Sequence, residues 1–190
     1  MINYVSPHVG EIEIQFHPCE REYVLNLLPE NGTLVEWGCG GSTVFFLDNL
    51  KENQYLITIE HVEFWYDKIS EKIKDHPNID RHAFLFIPIK IQNTYYARPE
   101  EEMPCGTEDY IFFDKESIQN SDVFFIDGVS RGAVAAALRH QIKESSHVII
   151  HDYKGREVWY DWAVKCYNYN ATLSDDDSTL VHMFNIPKGD

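Results

Sequence analysis

No CxxC pair joins any two of the four cysteines, Cys19, Cys39, Cys105 and Cys166. Neither a thiolate zinc site nor a disulfide framework is expected, and the plainer state is free thiols, buried or half-buried, in a reducing cytosol. The eight histidines other than His151 show no H-x3-H spacing among themselves, so no metal is assigned to them. No run of about 18 apolar residues occurs, which leaves no transmembrane span to assign. The first residues, MINYVSPHVGEIEIQF, have neither a basic start nor a long apolar block, so no signal peptide is expected and the location expected is cytoplasmic. Positive charge is scarce: 16 Lys and Arg stand against 31 Asp and Glu, a formal net charge of −15. Such a chain repels nucleic-acid phosphates and anionic membrane surfaces, so neither is an expected partner. The Gly-Lys-Ser/Thr signature of a P-loop is missing as well.

What is present is a regular alternation of patterns. The chain has 190 residues, 44% of them hydrophobic, enough for one domain over 1–190 with a real core. Residues 18–28 predict a helix opened by Pro18, with Val24, Leu27 and Leu28 on its apolar face, and residues 1–32 are read as an N-terminal helical segment. Strands are predicted at 33–37, 55–60, 83–89, 122–127 and 147–152. Helices are predicted at 42–50, at 62–75 with Trp65, Ile69 and Ile73 inward, at 131–143 with Val134, Ala135, Leu138 and Ile142 inward, and at 156–167 with Trp159, Trp162, Ala163 and Cys166 inward. Two further apolar stretches flank 174-SDDDS-178 as a hairpin, and the three aspartates are a solvated turn. The expected fold is therefore α/β: a Rossmann-like, doubly wound, mostly parallel sheet of seven strands closed by an antiparallel hairpin. Residues 90–120 are too long for a plain connection and are either a lid or substrate loop or a surface excursion.

The stretch 35-VEWGCGGSTVFFL-47 falls where a strand ends and a helix begins. Gly38, Gly40 and Gly41 present bare backbone, which lets a ligand approach closely. Glu60 ends the next strand twenty residues after Gly40, the place where such sheets use a carboxylate to hold ribose hydroxyls. Gly38, Gly40 and Thr43 make G-x-G-x-x-T, not the G-x-G-x-x-G of nicotinamide folds. Glu36, just before the glycines, would repel a pyrophosphate and attract an ammonium group. That favours S-adenosylmethionine over a dinucleotide.

EWGCGGST (36–43), IEH (59–61) followed by Trp65, IDGVSR (126–131) with its alanine-rich helix, and HDY (151–153) occur in this order. Together they resemble a subgroup of class I S-adenosylmethionine-dependent methyltransferases, over about 33–160. Some members resemble sugar O-methyltransferases, including glycan-modifying domains of large algal viruses. The resemblance implies the fold and the cofactor, with Glu36, Gly38, Gly40, Gly41, Ser42, Thr43, Glu60, His61 and Asp127 on the cofactor side. The chain departs from the pattern in Cys39, where serine is common, and in its long 90–120 segment.

Methyl transfer to a hydroxyl needs an aligned acceptor and a group to take its proton. His151 or Asp152 is expected to be that base, with Asp127 nearby; a histidine suits the task because it titrates near neutrality. Neighbouring strand residues point to opposite faces, so His151 and Asp152 share the site only if the chain turns there. Asp127 and Asp152 alternatively hold a divalent ion such as Mg²⁺ that acidifies a sugar diol, although related enzymes carry an extra acid where this chain has His151. Arg131 either clamps substrate, bridges to Asp127 or forms a surface ion pair, and Tyr153 is assigned to the substrate side. Tyr95, Tyr96 and Tyr110 are candidates for a stacking wall, while Trp65 is read as core. The expected activity is O-methyl transfer to a small acceptor, a sugar or glycan terminus. The rival readings are a nucleoside-binding module without catalysis and a nicotinamide-dependent enzyme.

Overall fold

The computed structural model describes residues 12, 14–89, 108–112, 115–173 and 178–184. The elements run α1 (Pro18–Leu27), β1 (Thr33–Trp37), α2 (Gly41–Asn49), β2 (Tyr55–Glu60), α3 (Glu63–Ile73), β3 (His82–Phe86), α4 (Glu108–Ile111), α5 (Lys115–Gln119), β4 (Val123–Ile126), α6 (Arg131–Leu138), β5 (His147–Ile150), α7 (Glu157–Val164), β6 (Tyr169–Thr172) and β7 (Val181–Phe184). They build one seven-stranded sheet in the order β3-β2-β1-β4-β5-β7-β6. The first five strands pair in parallel, and β7 runs antiparallel between β5 and β6. The predicted doubly wound sheet with its closing hairpin is the observed architecture. The order reverses beside β1, so the ends of β1 and β4 open a crevice above the sheet, where ligands bind in such folds.

Both faces of the sheet are covered. Val35, Trp37, Phe124, Ile126, Val148 and Ile150 pack with α6 and α7 on one side. Leu34, Leu56, Val123, Phe125 and Ile149 pack with α1, α2 and α3 on the other. Burying each such side chain stabilises the fold by roughly 1.5–3 kcal/mol, which is why the central strands read as apolar at nearly every position.

Several boundaries and faces differ from the sequence reading. The third strand ends at Phe86 rather than residue 89, and α6 ends at Leu138, its chain continuing as tight turns. The face of α7 is rotated: Tyr160, Ala163 and Val164 are buried, whereas Trp162 is 44% exposed and Cys166 is exposed. The small Ala163 is fully buried in the cluster that α7 shares with α6. Trp65 is half-exposed, with the Lys68 ammonium 5.0 Å from its ring, so the core reading of Trp65 is corrected. Within 90–120 the described residues form α4 and α5; Tyr95, Tyr96, Cys105 and most of the expected loop lie outside the described residues, as does the turn at 174–177.

Candidate functional site at the strand ends

The turn from β1 to α2 is held by contacts only glycine permits. Gly38 has φ 88, and a Cβ there would lie 2.7 Å from the Gly128 nitrogen. Gly38 N–H donates to the Ile59 carbonyl at 2.8 Å, tying the loop to β2. Gly40 differs: a Cβ added to it meets nothing within 4 Å among the described residues. Its bareness serves no internal contact, so the backbone there faces open space that a ligand can use.

Glu36 stands beneath this turn, fully buried. It accepts from Ser42 Oγ at 2.5 Å, and from Thr43 Oγ1 at 2.7 Å and Thr58 Oγ1 at 3.0 Å. Burial, only partly offset by these hydroxyls, pushes its pKa up to about 8, so near neutrality the group is mostly a neutral acid. It props up the start of α2 and shows no surface to the crevice, which is not the direct contact with an ammonium that the sequence suggested. Ser42 and Thr43 are buried with it. The Cys39 thiol is half-buried, and desolvation with Glu60 and Glu36 nearby raises its pKa well above normal, which disfavours the thiolate.

Glu60, at the end of β2, is 3% exposed. Its carboxylate accepts from Cys39 N at 2.9 Å and from His61 N and Val62 N at 2.7 Å each, with His61 Nδ1 3.1 Å away. Burial opposes its ionisation, but the His61 ring and these amides hold the pKa below the usual range. An anionic group is thus fixed at the ribose position of such folds.

The ends of β4 and β5 carry a second cluster. Asp152 has φ 54, so the chain turns sharply after His151 and brings both residues to the same place. His151 Nδ1 lies 2.9 Å from Asp127 Oδ1 and 3.9 Å from Asp152 Oδ1. Its other nitrogen, Nε2, lies 3.3 Å from Glu20 Oε2 on α1. Burial alone would lower the imidazole pKa; the Asp127 charge and the bonds to Asp127 and Glu20 outweigh it and hold it at about 10. Both nitrogens of His151 are thus engaged by carboxylates that favour its protonated form, an arrangement that leaves no free nitrogen for the general-base role expected of it. The signal missed in the sequence was Glu20. It sits three residues after His17, whose backbone N–H it accepts at 3.1 Å, the spacing of a capping box.

Arg131 is likewise an internal bolt and not a free clamp. It donates to the Gly128 carbonyl at 2.9 Å and to the His151 carbonyl, and it lies 3.0 Å from Asp127 Oδ1 and 3.4 Å from Asp152 Oδ2. Burial disfavours the Asp127 carboxylate, but Arg131 and His151 keep its pKa low. Asp127, His151 and Asp152 each offer one ligand atom within 4.8 Å of the others. A divalent ion there would have to displace the Arg131 guanidinium and take a proton from His151. Tyr153 is 8% exposed, packed in the core with its hydroxyl donated to Asp161 at 2.6 Å, which removes it from the substrate side. An open groove of about 490 Å³ between α1 and α2, lined by Arg21, Leu25, Phe45 and Gln54 among others, contains none of the residues assigned to the site.

No protein-family profile and no curated protein matches the chain. Solved structures do. A methyltransferase-like protein of Silicibacter pomeroyi aligns with TM-score 0.67 and 19% identity over 93% of this chain and 91% of its own. A putative caffeoyl-CoA O-methyltransferase of Staphylococcus aureus gives 0.62 and 13% over 92% and 87%. An RNA methyltransferase of Salinibacter ruber, in complex with S-adenosyl-L-homocysteine, gives 0.58 and 14% over 93% and 97%. With its strand order, its reversed final strand and these neighbours, the chain has the Rossmann-like methyltransferase fold.

Proposed function

We propose that the chain is an S-adenosylmethionine-dependent O-methyltransferase acting on a hydroxyl of a small acceptor, a sugar or glycan terminus. The observation that carries the reading is the pairing of Gly40, whose backbone faces open space, with the buried carboxylate of Glu60 twenty residues on. Those residues fit the cofactor: Gly38, Gly40 and Gly41 would admit its amino-acid end, and Glu60 beside His61 would hold its ribose hydroxyls. When bound, S-adenosylmethionine supplies a methyl group on a sulfonium. This chain's own part is positioning and proton removal. Asp127 and Asp152 are the carboxylates of the second cluster with open surface, 30% and 36% of their side chains, and Arg131 spans both. We assign Asp152 to accepting the acceptor's proton, since His151 has no free nitrogen, and Asp127 to orienting the acceptor.

The acceptor class rests on the motif resemblance and on charge. Some neighbours are RNA methyltransferases, but a net charge of −15 opposes a phosphate backbone. Mg²⁺ at Asp127 and Asp152 is disfavoured because Arg131 already supplies the positive charge between them.

Calorimetric titration with S-adenosylhomocysteine tests the reading. Native protein is expected to bind, and Glu60→Ala to bind about tenfold more weakly or worse, as expected for a lost bond to a charged group. Binding of NADH without binding of S-adenosylhomocysteine would overturn it in favour of a nicotinamide enzyme. Binding with no turnover on any sugar, with or without EDTA, would reduce the chain to a nucleoside-binding module.

A further inference from the structure

Tyr110 is among the largest fully buried side chains in the protein, at 0% exposure. It comes from α4, inside the long connection between β3 and β4, yet it reaches the crevice above β1 and β4. A Cβ added to Gly128 would lie 2.1 Å from the Tyr110 hydroxyl oxygen and 3.2 Å from Gly38 N. The ring stands edge-on to His61, centroids 5.2 Å apart. The charges or titratable groups of Glu60, Arg131, Cys39 and Asp127 all act electrostatically on that hydroxyl. These are the two halves of the candidate site. The hydroxyl nevertheless has no hydrogen-bond partner among the described residues.

A buried hydroxyl with no partner calls for an explanation, because a tyrosine O–H both donates and accepts and costs free energy when it does neither. Phenylalanine would fill the same volume without that cost. The backbone behind it is firmly held: Trp37 Nε1 donates to the Tyr110 carbonyl at 3.0 Å, and Ile111 beside it is 2% exposed. The side chain alone therefore ends among the groups that would meet a ligand.

We propose that the Tyr110 side chain occupies part of the cofactor's own space, so that S-adenosylmethionine binds only when this side chain withdraws and its hydroxyl gains a partner. The inference rests on the cofactor reading above. A ligand whose site is open only a fraction of the time has its apparent affinity reduced by that fraction.

Two variants of the full chain separate the possibilities, each titrated with S-adenosylhomocysteine and melted without it. Tyr110→Ala removes the occupant and is expected to bind about tenfold tighter than native protein. Tyr110→Phe removes only the unsatisfied hydroxyl, so the closed form gains: its ligand-free Tm is expected to rise by about 2–4 °C, and its affinity to fall about fivefold. If Tyr110→Ala binds no tighter than native, the ring is a wall of the site and not an occupant, and the inference is overturned while the cofactor reading stands. Should Tyr110→Ala not fold, unchanged affinity in Tyr110→Phe overturns it equally. If native, Ala and Phe proteins all fail to bind, the cofactor reading itself has failed and the inference falls with it.

Discussion

Five donors converge on the Glu20 carboxylate: His17 N, His151 Nε2, Ser178 Oγ, Thr179 N and Thr179 Oγ1. Burial works against its charge, but these bonds and the His151 imidazolium bring its pKa down to about 2. Removing His151 alone would leave this buried anion without its cation, so His151→Gln is expected to destabilise the fold by about 3–5 kcal/mol in urea unfolding. Glu20→Gln with His151→Gln together should cost clearly less than the sum of the singles. The pH dependence follows from the two shifts. The histidine's folded pKa of about 10 is above its usual 6.5, so its contribution is full below pH 6.5 and lost as pH rises through 10. The glutamate's pKa of about 2 is below its usual 4.5, so its contribution is full above pH 4.5 and lost as pH falls through 2. Stability from the pair is therefore greatest between pH 4.5 and 6.5. A stability profile of the double variant against native protein that is parallel across pH 3–9 would contradict this account.

At the scale of elements, the joint between β1 and α2 depends on Gly38 for two separate reasons, its left-handed backbone and its approach to Gly128. Gly38→Ala meets both penalties and is expected to cost about 2–4 kcal/mol. Gly40→Ala meets no atom of the described residues and should leave stability nearly unchanged while weakening cofactor binding. Paired melting and calorimetry of the two variants check the contrast. The difference between these glycines was not legible in EWGCGGST, where they look alike. The element order, the glycine turn and the place of Glu60 were legible, because apolar strand blocks and bare turns repeat on a short, local scale. What escaped was long-range. The Glu20–His151 pairing joins residues 131 positions apart, and no periodicity of α1 announces it. Tyr110 was noticed only as one of several tyrosines, because its position depends on how an aperiodic connection folds back over the sheet. His151 and Asp152 came together through a left-handed turn at a non-glycine residue, which an alternating strand pattern argues against.

The molecule as a whole carries excess negative charge, and within the site that charge is nearly balanced. Glu20, Asp127 and Asp152 face His151, Arg131 and Arg156 across distances of 2.9 to 3.5 Å. The uncompensated acids are therefore mostly elsewhere, repelling one another across the surface. Raising salt from about 0.01 M to 0.15 M shortens the screening length from about 30 to 8 Å, so the Tm is expected to rise with added NaCl. A Tm that falls over that range would show that attractive pairs dominate the global electrostatics instead.

The position of β7 carries a consequence for how the molecule comes into being. The last strand of the described sheet is inserted between β5 and β6, and the Thr179 amide just before it closes onto Glu20 of α1. On the ribosome, β5 therefore waits with one rim bare, and α1 waits without its acceptor's donors, until the chain has grown past residue 184. Such a domain locks only once β7 has been made, and not while the parallel strands are emerging. A nascent chain halted a few residues short would present β5 as a ready template for sticking to its neighbours.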